Sequence, residues 1–120
     1  MATNLLGHWG ESLAWEFLRK KGYSLLAANY RCRMGEIDLI AQKKKYIVFV
    51  EVKLRKNHDF AEAMEFVDLK KQQRIKTAAN LFLCQREAID SPVRFDVIEI
   101  YAEQGIETKK PFIRHLEDAF

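Results

Sequence analysis

The sequence predicts an α/β sandwich, in which helices cover a mixed β-sheet. Three observations support this class: a helical apolar period near the amino terminus, three strand-like segments after it, and a second helical period followed by an alternating strand. The 120 residues are 48% hydrophobic and 31% charged, as expected for a folded chain with its own core. We expect one domain spanning residues 1–120.

The first helix is predicted from apolar residues that recur every four positions. This stripe consists of Leu5, Trp9, Leu13 and Phe17, with Leu6, Ala14 and Leu18 beside it. Gly22 follows a basic last turn, which is typical of a helix end. We interpret the aromatic side chains as core rather than as a cofactor site.

Three strands are predicted after this helix. Residues 23–32, 36–41 and 46–54 are strand-like, and Met34-Gly35 and a Gln-Lys-Lys-Lys run separate them. Connections this short indicate a meander of three strands. Residues 56–66 show no clear period, so we predict a loop there with room for a short helical turn.

The second helix is predicted to begin after Asp68, a candidate N-cap. Its apolar stripe consists of Leu69, Ile75, Ala78, Ala79, Phe82 and Leu83. Lys70, Lys71 and Arg74 lie in the first turns, where positive charge opposes the helix dipole. A bound phosphate would explain these residues, and so would a solvated helix face.

The last quarter of the chain predicts one or two further strands. Residues 93–101 alternate between apolar and polar positions after Ser91-Pro92. Gly105 marks a turn, and residues 111–120 predict a strand or a short helix. The order of helix, three strands, helix and strand implies a mixed sheet.

Composition excludes a membrane anchor. No apolar run approaches the roughly 18 to 20 residues that cross a bilayer, and the amino terminus lacks the basic region of a signal peptide. Cys32 and Cys84 have no metal-ligand spacing, so we interpret them as reduced packing thiols. We therefore expect a cytoplasmic protein without a membrane partner.

Positive charge is concentrated in the first half of the chain. Residues 1–60 hold 11 Lys or Arg and 6 Asp or Glu, whereas residues 61–120 hold 9 and 11. Three lysines at 43–45 are one of the basic clusters. A polyanion would suit these clusters, and a solvated surface explains each of them equally well.

The segment FVEVK, residues 49–53, carries two charges inside a strongly apolar strand. Strand alternation puts the valines at 48, 50 and 52 on one face and Glu51 and Lys53 on the other. The preceding strand carries Glu36 and Asp38. If the loop between the strands has an even number of residues, these acids share a face with Glu51 and Lys53. The loop sequence has no turn signal that decides its length.

Convergence of these acids would have a chemical consequence. Their repulsion would raise a pKa or push the strands apart, and a divalent cation such as Mg²⁺ or Mn²⁺ would relieve it. With Lys53 beside the phosphate or the attacking water, this is the geometry of metal-assisted phosphodiester hydrolysis. The alternative is an exposed ion pair of Lys53 with Glu51 or Asp38. Residue types and spacing leave both interpretations open.

Other chemistries have less support in the sequence. The three histidines lack metal or triad spacing, and no serine or cysteine lies beside a candidate base. Asp96 follows Arg94 by two residues in an alternating strand, which favours a salt bridge over a metal ligand. Glu36 is either an acid near the site or a partner of Arg31 or Arg33.

A longer series of motifs resembles known families. Residues 35–41 (GEIDLIA), 48–53 (VFVEVK), 94–97 (RFDV) and 118–120 (DAF) follow one another as in the YraN-like family of small bacterial proteins. The pair GEIDLI and FVEVK is similar to the PD-(D/E)XK nuclease superfamily, particularly its Holliday-junction resolvase-like members. The resemblance to the YraN-like family covers nearly the whole chain.

The resemblance implies a restriction-endonuclease-like three-layer sandwich with a mixed central sheet flanked by helices. It also implies that Asp38 and Glu51 are metal ligands, with the Val52 carbonyl as a third. Lys53 would be the catalytic lysine. Glu11, on the first helix, would complete or extend the metal shell and belong to the catalytic group.

The implied function is Mg²⁺- or Mn²⁺-dependent endonuclease-like hydrolysis of DNA, with branched or structured DNA as a candidate substrate. The candidate nucleic-acid contacts are Arg31, Arg55, Lys71 and Arg74. An alternative is a catalytically silent module with the same fold that binds nucleic acid or a protein partner. A homodimer would suit a symmetric substrate, although nothing in the sequence marks a dimer surface.

Overall fold

The computed structural model describes residues 5–56 and 67–120. Its elements, in chain order, are α1 (Leu5–Lys20), β1 (Ser24–Cys32), β2 (Gly35–Lys43), β3 (Tyr46–Arg55), α2 (Leu69–Gln85), β4 (Val93–Tyr101), a 3-10 helix (Gly105–Glu107) and β5 (Phe112–Leu116). The loop with room for a helical turn that we predict at residues 56–66 lies, from residue 57 on, outside the described residues. No helix in the described ranges is long and apolar enough to cross a membrane.

The five strands form one mixed sheet in the order β1-β2-β3-β4-β5. Neighbouring strands are antiparallel except β3 and β4, which are parallel. A parallel pair needs a crossover connection, and α2 lies in that connection. The predicted α/β class and mixed sheet are confirmed, and the carboxy-terminal segment contains a strand rather than a helix.

The sheet has a separate apolar core on each face. On one face, Leu18 of α1 packs with Val50 and Ile98. On the other face, Phe49 packs with Phe82 of α2, their ring centroids 6.1 Å apart. The molecule therefore has three layers, with α1 and α2 on opposite sides of the sheet.

Helix α1 is rotated relative to the predicted apolar stripe. Its buried residues are Gly10, Ala14 and Leu18, whereas Trp9 and Phe17 are only partly buried at the margin of the core. Small residues let the helix approach the sheet closely, since a Cβ at position 10 would lie 3.0 Å from Leu54 Cδ2. The expectation that the aromatic stripe forms the core is wrong in this respect.

Helix α2 begins as predicted. Asp68 is its N-cap and accepts a hydrogen bond of 2.8 Å from the Lys71 amide. Leu69 is exposed, although it belongs to the predicted stripe. Both cysteines are free, but only Cys32 packs against the core, because Cys84 lies on the exposed side of the helix.

Candidate metal centre

The loop between β2 and β3 has an even number of residues, as the predicted convergence of the acids requires. Lys43 pairs with Tyr46, so the loop contains two residues, Lys44 and Lys45. Lys44 adopts a left-handed conformation with φ of 55°, which reverses the chain without a glycine. Backbone pairing then continues to Leu39 and Val50. Asp38 and Glu51 are the next residues of the two strands beyond this last pair.

Backbone pairing between β2 and β3 gives way to a side-chain contact at this point. The Val52 amide donates a hydrogen bond of 2.8 Å to Asp38 Oδ2. This bond holds the Asp38 carboxylate beside Val52, which directly follows Glu51. Glu51 and Lys53 alternate with Val52 along β3, on the sheet face that α2 covers.

The two carboxylates are close enough to affect each other's ionisation. Burial, and after it the negative charge of Glu51, raises the pKa of Asp38 to about 7. The hydrogen bond from Val52 and the charge of Lys71 oppose this rise, and the charge of Glu11 adds to it. The acids therefore meet in a partly desolvated site, where negative charge is unfavourable.

A lysine from α2 partly offsets that charge. Glu51 is 5% exposed, and the Lys71 ammonium donates a hydrogen bond to its carboxylate. Although burial acts in the opposite direction, this bond and the charge of Glu51 raise the pKa of Lys71. The pairing explains why a basic residue is tolerated in the first turn of α2, where it opposes the helix dipole.

Lys53 lies apart from these charges. Among the described residues it makes no salt bridge, so neither ion pair considered for it, with Glu51 or with Asp38, is present. It lines a cavity of about 360 Å³ whose apolar wall includes Val97 and Phe120. A half-buried ammonium without a carboxylate partner is available to an anionic ligand.

Glu11 approaches the site from α1 and has its own partner. Its carboxylate accepts a hydrogen bond of 2.9 Å from Asn29 Nδ2 and lies 3.7 Å from His8 Nδ1. Asn29 has a φ of 51°, a left-handed conformation in which Asn is enriched. Glu11 is thus near enough to Asp38 to act on its pKa, while Asn29 holds its carboxylate.

The donor set fits a hard divalent cation. Asp38, Glu51 and the Val52 carbonyl supply oxygen only, and oxygen ligands suit Mg²⁺ and Mn²⁺. Within residues 5–56 and 67–120, no three His, Cys, Asp or Glu side chains are grouped to hold a metal ion. A cation would therefore depend on two carboxylates, the main chain and water, and Glu11 is not grouped with them as a direct ligand.

Two of the four candidate nucleic-acid contacts lie on α2. Lys71 and Arg74 are three residues apart, which places them on one helix face. Arg74 is exposed and its backbone packs closely on Gly35. Arg31 is exposed on β1, where it forms a salt bridge of 3.3 Å with Glu36.

Arg55 is placed differently from the other three. Its guanidinium forms a buried salt bridge of 3.0 Å with Glu99, and both side chains are at most 5% exposed. Arg114 and Tyr101 bind the other oxygen of Glu99. This placement argues against a phosphate contact by Arg55, because the ion pair would have to break first.

The remaining acids behave as structural residues. Asp96 is fully buried and receives two hydrogen bonds of 2.9 Å from Arg94, so the predicted salt bridge is confirmed. Glu36 pairs with Arg31 at the surface, which is one of the alternatives considered for it.

Two features of the site have little signal in the sequence. The Lys71–Glu51 pair joins residues 20 positions apart, and only the packing of α2 on the sheet brings them together. Asn29 beside Glu11 has a weak signal, since an Asn within an apolar strand suggests a left-handed position. The basic first turn of α2 was the available clue to Lys71.

The chain is similar over nearly its full length to proteins from several bacteria. It is 46% identical to a UPF0102 protein of Caldicellulosiruptor bescii over 121 residues, covering 100% of both chains. It is 44% identical to one of Flavobacterium psychrophilum, covering 98% of this chain and 94% of the relative. For one of Clostridium perfringens the identity is 42%, with 96% and 93% covered.

A family model agrees with these similarities. The model for uncharacterised protein family UPF0102 matches residues 10–100, a range that includes Glu11, Asp38, Glu51 and Lys53. This is the YraN-like family that the motifs GEIDLIA and VFVEVK resemble. The chain therefore belongs to the uncharacterised protein family UPF0102.

Proposed function

We propose that this protein is a divalent-metal-dependent nuclease that hydrolyses phosphodiester bonds of DNA. One observation carries the proposal: Asp38 and Glu51 meet where the backbone pairing of β2 and β3 ends, with Lys53 two residues further on the same face of β3. Two acids and a lysine in this arrangement are the groups that metal-assisted phosphodiester hydrolysis requires.

Each residue has a distinct role in the proposal. Asp38, Glu51 and the Val52 carbonyl would hold Mg²⁺ or Mn²⁺, which when bound polarises a phosphoryl oxygen and lowers the pKa of water. Lys53, unpaired within the described residues, would bind the scissile phosphate or orient the attacking water. Lys71 would leave Glu51 when the cation binds there and would contact a neighbouring phosphate.

The surface around the centre supports an anionic polymer as substrate. Arg74 lies one helical turn from Lys71 and is exposed, and Arg31 is exposed on the neighbouring hairpin. Phosphate contacts from such residues position a nucleic acid without reading its sequence. The resemblance of GEIDLI and FVEVK to resolvase-like nucleases makes branched DNA the first substrate to test.

Cleavage by matched variants tests the proposal. Labelled single-stranded, duplex and four-way-junction DNA would be incubated with wild type, Glu51→Gln, Lys53→Ala and the control Glu36→Gln, with Mg²⁺ or Mn²⁺. We expect Glu51→Gln and Lys53→Ala to lose about 100-fold or more in rate, and the control, whose acid pairs with Arg31 at the surface, to keep it. Equal traces of cleavage by all four proteins would indicate a contaminating nuclease and would refute the proposal.

One observation favours a second candidate, a nucleic-acid-binding module without turnover. The Lys71–Glu51 ion pair partly neutralises the acidic site without a cation. Such a module would bind DNA with strong salt dependence, but Mn²⁺ and Asp38→Asn would leave binding unchanged. Calorimetric titration of Mn²⁺ into wild type and Asp38→Asn separates the two candidates. The nuclease requires that wild type binds Mn²⁺ and that Asp38→Asn does not, whereas the binding module requires neither result.

A further inference from the structure

A second concave site lies away from the candidate metal centre. It is a cavity of about 460 Å³ where the end of α1, the β2–β3 hairpin and the start of β4 meet. Five cationic side chains and one acid line it: Lys21, Lys43, Lys44, Lys45, Arg94 and Glu117. Its volume lies in the range of small-molecule sites.

The cavity and the metal centre occupy different ends and faces of the sheet. Tyr46 at the cavity and Glu51 at the centre are five residues apart on β3, which is about 17 Å at 3.3 Å per residue. Arg94 reaches Tyr23 on the α1 side, whereas Glu51 bonds to Lys71 on the α2 side. The two sites are therefore separate.

A buried hydrogen-bond network holds part of the cavity wall in place. Asp96 is fully buried and binds Arg94 through Nε and Nη2, and it also accepts a hydrogen bond of 3.0 Å from the Asp118 amide. His115 Nε2 lies 2.7 Å from Asp96 Oδ2, and Lys21 Nζ lies 3.0 Å from His115 Nδ1. An ammonium only donates, so Nδ1 accepts and the proton on Nε2 is donated to Asp96. These hydrogen bonds hold Arg94 and Lys21 in place at the cavity wall.

The charge of Arg94 is compensated by Asp96 and Glu117, whereas, among the described residues, the charges of the hairpin lysines are not. Glu117 is 53% exposed and its Oε1 lies 3.6 Å from Arg94 Nη1. In the described part of the chain, no carboxylate lies within salt-bridge distance of Lys43, Lys44 or Lys45. Like charges gathered in a concave site repel one another, and an anion with several oxygens would relieve that repulsion.

Aromatic rings separate the cations and shape the cavity. The Lys43 ammonium lies 5.1 Å from the centre of the Tyr23 ring. The Lys45 ammonium and the Arg94 guanidinium carbon lie 5.8 and 5.9 Å from the centre of the Tyr46 ring. Cation–π contacts of this kind place the charged groups of Lys43, Lys45 and Arg94 over the two rings. These ring contacts and the concave shape are what the lysines at 43–45 have beyond exposed charge.

We propose that this basic cavity binds the phosphate groups of a phosphorylated ligand, either a free nucleotide or a nucleic acid, at a site independent of the metal centre. Lys44 and Lys45 supply ammonium groups from the hairpin, and Arg94, held by Asp96, forms part of the cavity wall from β4. The cavity does not depend on the proposed nuclease activity, because none of the candidate metal ligands lines it.

The test removes charge from the hairpin alone. A Lys44→Asn, Lys45→Gln double variant keeps a residue that tolerates the left-handed conformation at position 44. Lys109→Gln, Lys110→Gln removes two exposed charges elsewhere and is the matched control. All proteins would carry Asp38→Asn and be kept in EDTA, so that the metal centre does not contribute. Inorganic pyrophosphate and ATP would be titrated calorimetrically, and a labelled DNA duplex followed by fluorescence anisotropy.

We expect pyrophosphate and ATP to bind the reference and control proteins, and to bind the hairpin variant about tenfold more weakly for each lysine that touches phosphate. A second result would assign the phosphate to nucleic acid: only DNA binds, and the hairpin variant binds it more weakly. The slope of log affinity against log salt concentration would then fall by about 0.9 for each lysine that touches phosphate. Equal affinities of both double variants for every probe, or no binding by the reference protein, would overturn the proposal. Matching urea unfolding curves exclude a loss of folding as the cause.

Discussion

Replacing Asp38 by Asn is expected to stabilise the metal-free protein at alkaline pH. Burial and the charge of Glu51 raise the pKa of Asp38 from the ordinary 3.8 to about 7. The folded state therefore keeps a proton that the unfolded chain has released. This contribution to stability is fully present below about pH 4 and is lost as the pH rises through 7.

The size of the effect follows from the proton affinity. Each unit by which the pKa differs between the folded and unfolded states is worth about 1.4 kcal/mol. The rise of the Asp38 pKa from 3.8 to about 7 therefore corresponds to about 4 kcal/mol. Asp38 is partly exposed and Lys71 lies near it, so we expect about 2 kcal/mol at pH 8. Asn keeps an oxygen for the Val52 amide and removes the charge.

Urea unfolding in EDTA at about pH 5 and about pH 8 measures this difference. Asp96→Asn is the matched control: although burial opposes it, hydrogen bonds from His115 and Arg94 lower the pKa of Asp96. The control should lose stability at pH 8, where Asp38→Asn gains it. If both variants lose stability at that pH, burial and the charge of Glu51 do not raise the pKa of Asp38 and the reasoning fails.

Three further predictions concern the charges around the site. Lys71→Gln should raise the affinity for Mn²⁺ several-fold, because it removes the ammonium group that competes with the metal for Glu51. Calorimetric titration measures this affinity, and weaker Mn²⁺ binding by the variant would contradict the prediction. Glu99→Gln should lower the free energy of unfolding by about 3 kcal/mol or more, because it removes the buried negative charge that Arg55 and Arg114 share, and a loss below about 1 kcal/mol would refute it. Asp68→Ala should cost about 1 kcal/mol in thermal or urea unfolding through loss of the α2 cap, whereas an unchanged midpoint would show that the cap contributes nothing.

Part of the site could be predicted because it depends on local periodicity. The alternation in FVEVK places Glu51 and Lys53 on one face of β3 whatever the rest of the chain does. Its convergence with Asp38 could not be predicted, since it depends on a two-residue loop in which Lys44 adopts a left-handed conformation. A lysine carries no signal for that conformation, unlike Asn or Gly.

The roles of individual basic residues were harder to predict than the acids. Arg55 follows the same strand pattern as Lys53, yet it is buried against Glu99 while Lys53 faces a cavity. Arg31, Lys71 and Arg74 stay near the surface, as a nucleic-acid contact requires. A charge in the sequence shows that a partner is needed, but not whether that partner is a carboxylate within the fold or a phosphate outside it.

The sequence by itself determined the elements of this protein and their order up to β4, and the strand that carries charge in an apolar environment, because these follow from periods of 3.6 and 2 residues within short windows. The tertiary structure alone decided that α1 turns Gly10 rather than its aromatic stripe to the sheet, that Lys71 reaches Glu51, and that a basic cavity forms at the far end of β3. These features depend on the parallel pairing of β3 with β4 and on the packing of each helix across the sheet. Both join residues far apart in the chain, where local patterns carry no information.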